Sequence, residues 1–119
     1  MIRSLLATDP ALVHAASFQE QARVREILQL IQPVSLRADG FTNDAAQAGA
    51  PPLMPFERIT APTLAISCED DLFGTADAAR HIARTVAGAR LLIYPEGGHV
   101  WVGRDREVWA EIDAFLPRE

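Results

Sequence analysis

Two short apolar runs that do not alternate with polar residues, Thr63-Leu64-Ala65-Ile66-Ser67-Cys68 and Leu91-Leu92-Ile93-Tyr94, restrict the possible folds more than any other feature of this chain. Runs of that length and pattern suit parallel strands covered on both faces. The segment between them carries Ala79, Ile82, Ala83 and Val86 at helical spacing, with Thr75 expected as its N-cap and Gly88 as the left-handed residue that ends it. Strand, helix, strand within one sheet is a right-handed parallel crossover, so both strands finish on the same edge. That edge is where open α/β sheets bind ligands. The segments leaving the two strand ends are Glu69-Asp70-Asp71 and Gly97-Gly98-His99.

Adjacent parallel strands lie about 4.8 Å apart, which brings an acid in the first loop within hydrogen-bonding reach of a histidine in the second. A carboxylate bonded to one imidazole nitrogen sets the tautomer and stabilises the imidazolium, leaving the other nitrogen to take a proton from a nucleophile. Gly97 and Gly98 suit a turn with unusual backbone angles and close approaches. Phe73, Trp101 and Val102 flank the acid and the base, and are candidates either for the wall of an apolar substrate pocket or for core packing. His14 and His81 fall in helical segments without ligand spacing, so they read as surface or packing residues and no metal site is expected. Nothing calls for a cofactor. Cys68 ends the first strand without a base of its own and is not read as a nucleophile.

Upstream, Asp9-Pro10 has the pattern of an N-cap followed by proline at the first helical position. Ser17 and Glu20 form a capping box, and Val24, Ile27, Leu28 and Ile31 predict an amphipathic helix over residues 18–31 that Pro33 ends. From Pro33 to Arg58 the periodicity disappears, and Gly40, Gly49, Pro51, Pro52 and Pro55 mark a long connection between a helical part, residues 1–57, and an α/β part, residues 58–119. Val108, Trp109, Ile112, Phe115 and Leu116 predict a last helix closed by Pro117, opened by the solvated Arg104, Asp105, Arg106 and Glu107.

Composition narrows the function classes. With a net charge of −5 and no lysine, the 119 residues lack the basic surface that nucleic acid requires. No stretch reaches the roughly 18 apolar residues of a membrane span, and Asp9-Pro10 interrupts the apolar start too early for a signal peptide. A cytoplasmic protein with no membrane partner is expected. A single cysteine excludes an internal disulfide.

The run Ile59 to Ile66, then Glu69-Asp70-Asp71, then Gly97-Gly98-His99, then a helix ending in Phe115-Leu116, resembles the C-terminal part of an α/β-hydrolase-fold enzyme of the serine type. Residues 9–57 are more weakly similar to the family's cap helices and return loop. The resemblance implies an order of nucleophile, acid, histidine along the chain, with His99 the base and Asp71 the acid. Cys68 stands where the family usually has a glycine three positions before the acid, which keeps Asp70 as the alternative. None of Ser4, Ser17, Ser35 and Ser67 has the glycines of a Gly-x-Ser-x-Gly elbow. The chain is therefore expected to be a nearly inactive part of a hydrolase of an ester, thioester or amide-like bond. It would act on a small-molecule substrate once joined by the missing N-terminal half. The alternative is a non-catalytic interaction module that repairs an exposed sheet edge by forming a homodimer or pairing with another protein.

Overall fold

The computed structural model describes residues 1–49 and 53–116. In chain order the helices are α1 (Ile2–Leu5), α2 (Pro10–Ala15), α3 (Phe18–Ile31), α4 (Ala38–Gly49), α5 (Thr75–Thr85) and α6 (Asp105–Phe115). The strands are β1 (Leu64–Cys68) before α5 and β2 (Arg90–Tyr94) after it. β1 and β2 pair in parallel, Leu64 opposite Arg90 through Cys68 opposite Tyr94, and α5 crosses between them and packs on both. This is a mixed α/β arrangement with a small parallel sheet.

Local chemistry accounts for the element starts. Asp9 caps α2 by accepting from the Ala11 N–H at 2.9 Å, with Pro10 at the first helical position. Ser17 caps α3 by accepting from the Glu20 N–H at 3.2 Å. The apolar stripe of α3 then meets the segment before α2. Val24 is buried with Leu6, Val13 and Val102, and Ile27, Leu28 and Ile31 pack around them. A second apolar layer, Ala65, Ala76, Ala79 and Val108, lies around the sheet, where α5 and α6 cover β1.

Four expectations change. The stretch from Pro33 to Arg58 contains a helix, α4, because Ala38, Ala45, Ala46 and Ala48 are strong helix formers that outweigh Gly40 and the short polar residues among them. Every side chain of α4 is exposed, which is why the apolar period is missing. Helix α5 starts from Gly74 in a left-handed conformation (φ +70°) rather than from Thr75, and it stops at Thr85. Gly88 is left-handed (φ +73°) but belongs to the turn that follows. Strand β2 is not covered on both faces, since Arg90 and Leu91 are exposed and the other three are half-buried. Pro51, Pro52 and Pro117 lie outside the described residues.

Candidate functional site: an acid and a histidine at one sheet edge

The loops that leave β1 and β2 meet. His99 Nδ1 lies 2.9 Å from Asp71 Oδ2, and the Asp71 side chain is 3% exposed against 43% for His99. An ionised carboxylate only accepts, so the proton of this bond sits on Nδ1 and the outward Nε2 is left as the free base. Asp71 is over-provided with donors. Its Oδ1 accepts from the Phe73 N–H at 2.9 Å, and its Oδ2 accepts from the Thr75 hydroxyl as well as from His99. Burial pushes the Asp71 carboxyl upward, but the bonds from Thr75, His99 and the Phe73 N–H outweigh it and hold its pKa below the usual carboxylate range.

The neighbouring acid has a different task. Asp70 accepts from the Gly98 N–H at 2.8 Å and the Gly97 N–H at 3.2 Å, so it clamps the backbone of the turn rather than the imidazole. That turn needs its glycines. Gly97 (φ +149°) and Gly98 (φ +60°) occupy the region open to residues without a Cβ, and a Cβ on Gly97 would sit 2.8 Å from Cys68 Sγ. Cys68 is itself fully buried, and burial together with the charges of Asp70 and Asp71 pushes its thiol up to about 11. It stays protonated at neutral pH, which removes it as a nucleophile.

The turn is held from the helical side too. Arg23 on α3 donates to the carbonyls of Val100 (2.8 Å) and Trp101 (3.5 Å) and pairs with Glu20 and Asp105. Glu20 accepts from the Gly103 N–H at 2.9 Å, and its bonds with Arg23 first and Gly103 keep its pKa low against burial. Asp105 thus belongs to this clamp, and Arg104 lies over the Tyr94 ring at 5.6 Å, so the start of α6 is not simply a solvated face. Trp101 adopts φ +56°, a costly conformation for a bulky residue, and the chain reverses there.

A cavity of about 510 Å³ opens beside the imidazole, walled by Ile27, Ile66, Val100, Trp101 and Trp109 with Arg23, Thr75 and Asp105 at its polar side. Residues 6–118 match the family model described as serine hydrolase. The chain belongs to the serine hydrolase family. No curated protein and no solved structure matches it.

For a member of the serine hydrolase family, the expected pocket residues divide three ways. Trp101 lines the cavity. Phe73 stands outside its wall and packs edge-on against the His99 ring, centroids 4.9 Å apart. Val102 is 5% exposed and packs in the core with Leu6, Val13 and Val24, the second of the two places open to it. His14 and His81 are exposed, the latter edge-on to Phe56, and no group of three or more metal-ligating side chains occurs among the described residues. Among those residues no helix is long and apolar enough to cross a membrane. Arg37 donates to the carbonyls of Leu30 and Ile31, closing α3. Thr75, Thr8, Arg23 and Trp109 were not anticipated. Of these only Thr75 carries a signal in the sequence, a hydroxyl four residues after the acid that reads as a helix cap.

Proposed function

We propose that Asp71 and His99 are the acid and base of a serine-type hydrolase with the α/β-hydrolase fold, whose nucleophile lies in polypeptide beyond these 119 residues. The bond between His99 Nδ1 and Asp71 Oδ2 carries the reading. It leaves Nε2 at the cavity, where it takes the proton of the attacking hydroxyl and later returns it to the leaving group, while Asp71 stabilises the imidazolium that forms between the two steps. The substrate is a small molecule with an ester, thioester or amide-like bond, seated against Trp101 and the apolar cavity wall.

Two of the four serines in hand are otherwise engaged. Ser67 is 2% exposed with its hydroxyl 2.7 Å from Thr75 Oγ1, and Ser17 caps α3. On this reading helices α2 to α4 belong to a cap and its return connection. The test is covalent capture by a fluorophosphonate. The 119-residue chain alone should remain unlabelled, while polypeptide that also contains a Gly-x-Ser-x-Gly segment should label at that serine, more slowly when Asp71 is replaced by Asn. Labelling of a serine within residues 1–119 would contradict the assignment.

One observation favours a second reading. β2 pairs with one edge of β1, and among the described residues no strand pairs with the other. An interaction module would use that edge to bind a second copy.

A further inference from the structure

Residues Leu6, Ala7 and Thr8 are 3%, 2% and 0% exposed, although they belong to no helix or strand. They run between the two loops of the site and bond to both. The Ala7 carbonyl accepts from the Leu72 N–H at 2.9 Å, next to the acid, and Thr8 Oγ1 accepts from the His99 N–H at 3.0 Å. The Thr8 hydroxyl proton goes to the Leu6 carbonyl at 2.7 Å, which aims the oxygen's lone pairs at the histidine backbone. Ala7 adopts φ +41°, an uncommon conformation for an alanine. On the opposite side Gly98 lies so close that a Cβ there would be 2.5 Å from both Cγ2 and Oγ1 of Thr8. The missing side chain of Gly98 is what lets the His99 N–H reach the hydroxyl. Asp9, the next residue, caps α2, so the segment is anchored on its far side.

We propose that Thr8 is a positioning residue for His99: its hydroxyl fixes the histidine backbone while the adjoining Ala7 carbonyl fixes the acid loop, so one segment sets the spacing of acid and base. The proposal rests on the reading of Asp71 and His99 as that pair. Without the hydroxyl the two loops are left with Asp70's bonds to the glycines, the Asp71 to His99 bond itself and the packing of Phe73 on the imidazole, none of which holds the His99 N–H. The His99 N–H would be left without its acceptor, and the imidazole would lose its register against Oδ2.

The test uses the 119-residue chain, since it needs no nucleophile. Long-range proton–nitrogen correlation from the carbon-bound ring protons reports which nitrogen of His99 is protonated. The native chain should hold the Nδ1–H tautomer, and Asp71→Asn should lose it. Thr8→Ser and Thr8→Ala differ by one oxygen atom. Serine should retain the Nδ1–H tautomer, whereas alanine should lose it and let the His99 amide exchange about five- to tenfold faster. Thr8→Val, which keeps the branched shape, should behave as alanine does, and should it fail to fold the serine and alanine pair makes the same comparison. Native tautomer and amide exchange in Thr8→Ala would overturn the role of Thr8 and leave the acid and base reading standing. A native chain whose tautomer is indifferent to Asp71→Asn would overturn both.

Discussion

At the scale of single residues, two adjacent carboxylates with nearly identical sequence surroundings act on different parts of the same turn. Asp71 takes the imidazole and Asp70 takes the glycine N–H groups. The difference has a measurable pH signature. Because the folded pKa of Asp71 lies below its unfolded value, the unfolded chain binds more protons between the two, so this contribution to stability is present above about pH 4 and is lost as pH falls through the folded value. Urea unfolding of Asp71→Asn should therefore depend less on pH than the native protein between about pH 5 and pH 2. An identical dependence would mean that Asp71 is not the carboxylate holding these bonds. The glycines separate likewise. Gly74→Ala meets nothing within 4 Å and should cost about 1 kcal/mol from its left-handed backbone, whereas Gly98→Ala also drives a Cβ into Thr8 and should cost about 2–4 kcal/mol, read by thermal melting. Equal costs would contradict the tight contact. That an acid of the first loop meets His99 is legible in the sequence from the two strand ends and the paired glycines, whereas the preference for Asp71 over Asp70 comes from the family resemblance alone. Thr8 is not legible, because it reaches His99 across 91 positions and nothing about a threonine beside a helix cap signals a tertiary acceptor.

At the scale of elements, α3 serves as more than a cover for the core. Its Arg23 and Glu20 bond to the backbone of residues 100, 101 and 103, so the helical part and the histidine loop are mechanically joined. Arg23→Met should cost about 1–2 kcal/mol, the range of charge-assisted hydrogen bonds reduced for partial exposure. It should also speed amide exchange at Val102 and Arg104, whose N–H groups close the turn on Gly97 and Trp101. Lower stability with native exchange at those two amides would reduce Arg23 to surface pairing. The elements that can be read in advance, α2, α3, β1, α5, β2 and α6, have local caps, unbroken apolar runs or an apolar stripe at helical spacing. Helix α4 has none of these, since a fully exposed helix buries no stripe and shows no period. The start of α5 was misassigned because the Thr75 hydroxyl goes to Asp71 instead of to the helix backbone.

At the scale of the whole molecule, a two-stranded sheet is small for a doubly covered architecture, which normally has four to six strands. The exposed Leu91 and half-covered β2 are what remains when a crossover unit stands without further neighbours. On the second reading, the isolated chain should associate through the open edge of β1 and light scattering should return a mass well above 13.0 kDa. A well-behaved monomer would remove that reading. The central claim, that His99 oriented by Asp71 is the base of a serine hydrolase, is tested most directly by the rate of hydrolysis of an activated ester. The enzyme to use is the polypeptide that carries the nucleophile segment together with these residues, compared with its His99→Ala variant. The account predicts a loss of about 10⁴-fold in kcat with the fold intact, and a variant that retains turnover within a few-fold of the unmodified enzyme would contradict it.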